Sequence, residues 1–228
     1  MNILALGDCN TQGIKDQYLN TYVEKLAKAL NAKVTNLGHT MATTREGVEL
    51  FNTVKDQKFD IVLISFGLTD SWETFQGAPY VLYFPDNPWR KFCRKVVKKY
   101  KKIGKKLNFK KLFGIATVVP KDEYLANLRY IITGAQNSIV ILLETIPKEE
   151  KERNISIKKY NTYLDNLVNE KKYIYRIKLY EYFDKHRECY LDKTHLNDDG
   201  YNYIYKKILD LFKKQHLFET LLSDGERI

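Results

Sequence analysis

Two short segments near opposite ends of this 228-residue chain carry side chains that together can move an acyl group. The first, Gly7-Asp8-Cys9-Asn10-Thr11-Gln12-Gly13, follows directly on an apolar run at 3–6 and reads as a strand that stops at a tight turn before a helix. Such a turn is where α/β enzymes expose a nucleophile. The second, Asp192-Lys193-Thr194-His195-Leu196-Asn197, sets a carboxylate three residues before an imidazole. Thiol, imidazole and carboxylate are the parts of a nucleophilic triad. His195 takes the Cys9 proton, and Asp192 holds the ring in the tautomer that turns its other nitrogen to the thiol. A cysteine at a helix start also feels the positive end of the peptide dipoles, so the Cys9 thiolate is expected to be favoured.

Positioning these groups requires a scaffold with one functional end. Apolar or β-branched runs at 3–6, 34–37, 61–66, 139–143 and 173–179 read as strands. Between them, Tyr18, Tyr22, Leu26 and Leu30 recur at helical spacing, as do Ile157, Tyr160, Tyr163 and Leu167. A last helix is marked by Tyr201, Ile204, Ile208 and Leu211. Strands separated by helices predict an α/β fold: a three-layer, flavodoxin-like parallel sheet with helices on both faces. Ligands in such sheets bind beyond the carboxyl ends of the strands, where Cys9, Gly38 and Thr69 all fall. The length suits one domain over 1–216, with an aromatic and lysine-rich insertion at about 71–112 and a polar tail at 217–228 whose last residues are expected to be disordered.

Four blocks in chain order resemble the SGNH (GDSL) hydrolases: Gly7-Asp8-Cys9, Asn36-Leu37-Gly38, Gly67-Leu68-Thr69-Asp70 and Asp192-x-x-His195. Cys9 stands where that family has its serine nucleophile, and Thr69 where it has an asparagine. The resemblance implies a Cys9-His195-Asp192 triad, with an oxyanion hole built from the Cys9 and Gly38 amides and the Thr69 hydroxyl. Asp8 and Asp70 are expected to be structural, bonding backbone amides in their turns. Taken alone, Cys9 also reads as a small packing residue. The family implies acyl-ester hydrolysis of the esterase or deacetylase type, on an acylated carbohydrate. An acyl group on sulfur is a thioester, so a thioester donor such as acetyl-coenzyme A would load Cys9 at little cost. O-acyl transfer in polysaccharide modification is therefore the alternative, and a non-catalytic glycan- or membrane-surface-binding module is another. No tightly held cofactor and no metal is required. His186, Cys189, Asp192 and His195 recur every three residues and are all zinc-ligating types, but without the paired spacing of a zinc site.

Composition narrows the setting. The formal net charge of +10 is one local feature, because residues 90–111 hold 12 basic side chains and no acidic one. Phe92, Val96, Tyr100, Ile103 and Leu107 recur through it, which predicts a basic amphipathic helix from Arg90 to Lys111. Its lysines are expected on the solvent side, either simply solvated with the helix docked on the domain or resting on an anionic membrane surface. A nucleic-acid partner is not expected, since no nucleic-acid-binding motif accompanies the charge. Trp72, Tyr80 and Trp89 lie just after the third block and are candidates for binding substrate as a wall or lid. Three sparse cysteines argue against a disulfide framework, and no apolar leader precedes the first strand. A cytoplasmic protein, peripheral to the inner membrane, is expected.

Overall fold

The computed structural model describes residues 1–14 and 17–217. Five strands form one parallel sheet: β1 (Asn2–Gly7), β2 (Lys33–Gly38), β3 (Ile61–Ser65), β6 (Ile139–Leu143) and β7 (Ile174–Ile177), in the order β2-β1-β3-β6-β7. This is the flavodoxin-like arrangement that the alternating runs predict. All five predicted strands are present, each within three residues of its expected ends.

Side-chain alternation along the central strands divides the core in two. Leu4, Leu6, Val62, Ile64, Val140 and Leu142 face one side, where they pack with Leu50 and Phe51 of α3 (Thr44–Asn52), Leu128 and Ile131 of α6 (Lys121–Gly134) and Leu164 and Leu167 of α7 (Lys151–Val168). Ile3, Ala5, Ile61, Leu63, Ile139 and Ile141 face the other, against Val23 and Leu26 of α2 (Tyr22–Ala29) and Tyr201, Ile204 and Ile208 of α9 (Asp198–Lys214). A sheet covered on both faces explains why these strands are continuously apolar rather than alternating. Leu217 also packs into the second core, and the remainder of the predicted tail, 218–228, lies outside the described residues.

Local chemistry sets the helix starts. The pattern including Tyr18 predicts an earlier beginning for α2, but Thr21 and Glu24 form a capping box that begins it at Tyr22, and Tyr18 lies exposed before it. Thr43 and Glu46 cap α3 in the same way.

The segment between β3 and α6 builds its own unit. β4 (Glu73–Phe75) pairs antiparallel with β5 (Ile115–Thr117), and between them run α4 (Pro88–Lys106) and α5 (Phe109–Phe113). Gly104 of α4 packs against Phe75 and Phe109, where a side chain would collide with both rings. The basic segment is helical but not as the single Arg90–Lys111 helix predicted: α4 ends at Lys106, and a left-handed Asn108 separates it from α5. Apart from Tyr100, which packs on Phe75, the apolar face of α4 is not docked on the domain. Phe92, Val96, Tyr100, Ile103 and Leu107 are 42–62% exposed, because the helix leans on the domain through Cys93, Val97 and Gly104 instead.

Candidate active site

β1 ends at Gly7, and Asp8 caps the short helix α1 (Cys9–Gln12) by accepting the Asn10 amide at 2.9 Å. Cys9 is therefore the first helical residue, and its amide has no intrahelical acceptor. Its side chain is buried with Leu68, Ile157 and Tyr180. Gly38 at the end of β2 lies so close to α1 that a Cβ there would come within 2.3 Å of the Gln12 amide nitrogen.

The second motif folds back over this end. Leu191 N donates to His195 O and Asn197 N to Cys189 O, closing a tight loop before α9. Within it, the Asp192 carboxylate receives the amides of Thr194 and His195, and His195 Nδ1 lies 2.9 Å from both of its oxygens. Burial opposes ionisation of Asp192, but the His195 amide and ring and the Thr194 amide outweigh it and hold the carboxyl at about 2. An ionised Asp192 can only accept, so Nδ1 carries the proton and Nε2 is left free as a base.

Asn10 docks this loop onto α1. Its Nδ2 donates to Thr194 O at 3.3 Å and its Oδ1 accepts Leu196 N at 3.1 Å, so one buried amide grips the residues on either side of His195. The sequence reading passed over Asn10, although it adjoins Cys9.

Electrostatics correct the thiolate expectation. Burial pushes the Cys9 thiol well above its ordinary range, and the neighbouring Asp8 charge pushes it further, against the weaker pull of the Cys9 and Asn10 amides and Lys148. A four-residue helix does not overcome that desolvation. No hydrogen bond joins Cys9 to His195, and burial together with the Asp8 charge favours the thiol over the thiolate. Asp8 itself is raised to about 6, by burial first, against the Asn10 amide and the charge of Lys148.

Lys148 is a second residue that sequence reasoning missed. It follows β6 at the same sheet end, where its backbone is clamped by Asn154 and its ammonium lies 5.4 Å over the Trp72 ring. Burial lowers its pKa, as does Arg153, while Glu150 and then Cys9 and Asp8 raise it, so its charge is felt at the thiol.

The other predicted residues are distributed as follows. Asp70 is fully buried and receives the Thr44 amide and hydroxyl and the Gly67 amide, fixing the turn after β3. Thr69, Trp72 and Tyr80 line a cavity of about 670 Å³ beneath α4. Trp89 does not reach it: the ring is 71% exposed and stacks on Phe92 on the outer side of α4. The Gly38 amide donates to Asn36 Oδ1 at 3.0 Å, so this predicted oxyanion donor is engaged, whereas the Cys9 amide is not. The zinc alternative does not assemble. His186 bonds Glu188 and stacks on Tyr182, and among the described residues no group of three or more His, Cys, Asp or Glu side chains is arranged to hold a metal.

Residues 3–208 match the family model of the GDSL-like Lipase/Acylhydrolase proteins. The chain belongs to this family. The GDSL-like fold is shared with a lipolytic protein of the G-D-S-L family from Veillonella parvula, at 14% identity and a TM-score of 0.62 over 93% of this chain and 98% of that one. A lipase/acylhydrolase from Enterococcus faecalis is similar at 19% identity and a TM-score of 0.62, over 94% and 96% of the two chains. An acetylxylan esterase from Geobacillus stearothermophilus, in a form described as a catalytic mutant, is similar at 17% identity and a TM-score of 0.61, over 92% of each chain. Catalytic mutants of that enzyme are solved for a serine, an aspartate and a histidine. No curated protein sequence matches the chain.

Proposed function

We propose that this GDSL-like protein hydrolyses a small acyl ester, with Cys9 as nucleophile, His195 as general base and acid and Asp192 as its orienter. The observation that carries this reading is the Asp192-His195 pair, held by Asn10 against the helix that begins with Cys9. Because Cys9 rests as a thiol, proton transfer accompanies attack: His195 Nε2 takes the Sγ proton as sulfur bonds to the acyl carbon. The oxyanion forms at the Cys9 amide, with Thr69 at its side, and Gly38 joins once the Asn36 side chain releases its amide. His195 then protonates the departing alcohol oxygen, leaving a thioester on Cys9. Water, deprotonated by His195, attacks the thioester, and the carboxylic acid leaves as Cys9 regains its proton.

The acetylxylan esterase among the structural neighbours, and the aromatic residues Trp72 and Tyr80, support an acylated carbohydrate as substrate. If a sugar hydroxyl replaces water in the last step and acetyl-coenzyme A is the donor, the same residues perform O-acyl transfer. The test is turnover of 4-nitrophenyl acetate and of acetylated xylo-oligosaccharides by wild type, Cys9→Ala and His195→Ala. The reading requires a loss of at least about 100-fold in both variants. Undiminished turnover in Cys9→Ala would leave the non-catalytic binding module as the better reading.

The exposed apolar stripe of α4, flanked by Lys95, Lys99, Lys102 and Lys106, supports a second feature: docking of this face on an anionic membrane. No helix among the described residues is long and apolar enough to cross one. Wild type is expected to sediment with vesicles containing phosphatidylglycerol and not with neutral ones. A Phe92→Ser/Ile103→Ser variant that sedimented equally well would remove this feature.

A further inference from the structure

The cavity beneath α4 has a charge pattern that ester chemistry alone does not require. One wall belongs to the active-site end, with Thr69, Trp72 and Tyr80, and the other is the basic face of α4. No aspartate or glutamate lines it. Lys91 and Arg94, which line it, share the single carboxylate of Asp86. Lys95, Lys98 and Lys101 also line it, and none of these three has an ion-pair partner among the described residues.

Lys101 is the informative one. It is half-buried, its ammonium lies 6.0 Å over the Tyr80 ring, and burial and then the Arg45 charge disfavour its protonated form. A desolvated cation facing a cavity without a counter-ion is costly unless an anion arrives there. A second observation points the same way. Trp72 Nε1 is buried, has no hydrogen-bond partner, and belongs to a ring on the cavity wall. An indole N–H can only donate, so its unmet requirement is an acceptor.

We propose that this cavity binds a phosphorylated group carried by the acyl substrate or acyl donor, with Lys98 and Lys101 as its charge partners and Trp72 as a neutral donor. The proposal rests on the reading of Cys9 and His195 as the acyl-transfer centre, because Thr69 and Trp72 join the cavity to that end of the sheet. A phosphate seated beneath α4 would fix the rest of the molecule relative to Cys9. The phosphate has two possible sources, the ester substrate itself or a coenzyme thioester, and the chemistry of recognition is the same for both.

The test is a binding titration with inorganic pyrophosphate and, separately, coenzyme A. It is made in Trp89→Phe protein, where Trp72 is the sole remaining tryptophan. Both isothermal heat and Trp72 emission are followed. Pyrophosphate is expected to bind and to change Trp72 emission. Lys98→Gln with Lys101→Gln should weaken it by on the order of 100-fold, about 10-fold for each charge-assisted contact. Lys99→Gln with Lys106→Gln, the same charge loss on the outer face, should change it less than about threefold. Thermal melting of each variant confirms that it is folded. Coenzyme A binding more than about tenfold tighter than pyrophosphate assigns the phosphate to the donor; equal or weaker binding assigns it to the substrate. Equal weakening by the two double variants, or no binding of either probe, overturns the proposal. Cys9→Ala should bind pyrophosphate like wild type, so failure of the hydrolase reading and failure of this one are read separately.

Discussion

Asn10→Ala separates the placement of His195 from the chemistry of His195. The Asn10 side chain holds Leu196 N, which is buried, and Thr194 O, which is partly so. Truncation strands the buried amide, at about 2 kcal/mol, and returns the wetter carbonyl to solvent at about 0.5 kcal/mol. The expected loss is thus about 2.5 kcal/mol, which for a chain of this size lowers Tm by about 5–10 °C. The effect on turnover should be larger. With both grips gone, the loop that carries His195 is free to move by an ångström or more, which costs on the order of 100-fold in rate. Because Asn10 is a positioning residue, the loss should fall on kcat, with KM for 4-nitrophenyl acetate nearly unchanged. Asn10→Asp keeps the acceptor for Leu196 N, and should recover more stability than activity. Steady-state kinetics and calorimetry on the same preparations decide the matter. If Asn10→Ala lost the expected stability but kept kcat within about threefold, His195 would be held by its own loop, and Asn10 would have no part in catalysis.

Asp8→Asn preserves the helix cap while removing the negative charge beside Cys9, so the thiol should ionise more readily and Cys9 alkylation by iodoacetamide should accelerate at pH 8. Slower or unchanged alkylation would contradict the assigned electrostatics. Asp70 is raised to about 7, by burial first and against the Thr44 amide and hydroxyl, from an ordinary value of 3.8. The folded state therefore binds its proton more tightly than the unfolded state does. Stability from this group is full below about pH 4 and is lost as pH rises to 7, by up to about 4 kcal/mol. Denaturant titrations should show that slope flattened in Asp70→Asn. Glu46 is fully buried and accepts the Tyr80 hydroxyl at 2.9 Å and the Tyr83 amide at 2.7 Å, tying the insertion to α3. Glu46→Ala should cost about 3 kcal/mol in Tm-derived stability and raise KM for larger substrates more than for 4-nitrophenyl acetate.

The sheet was legible because each strand is a short apolar run, and burial on both faces demands such runs. The Asp192-His195 pair was legible because both residues lie in one local motif, where Asp192 reaches His195 within a single loop. The parts that were not legible depend on contacts between distant segments. Asn10 and Thr194 are separated by 184 positions, and nothing in Lys148 itself marks it as a cation whose charge reaches Cys9. The α4 periodicity correctly announced an amphipathic helix. It could not say which face would meet the domain, because that contact is made by Gly104 and by Tyr100 at the edge of the stripe, both against Phe75, while the rest of the stripe stays exposed. The thiolate expectation failed for a similar reason: the dipole argument is local, whereas the burial that outweighs it comes from Leu68, Ile157 and Tyr180.

The most direct measurement of the central claim is intact-mass spectrometry of wild type and Cys9→Ala, quenched in acid after mixing with 4-nitrophenyl acetate and, separately, acetyl-coenzyme A. A single acetyl adduct that maps to Cys9, builds up further in His195→Ala during hydrolysis of the activated ester, and is absent from Cys9→Ala is the predicted result. Turnover of the ester with no adduct on wild type or His195→Ala, and with undiminished rate in Cys9→Ala, would contradict a nucleophilic Cys9.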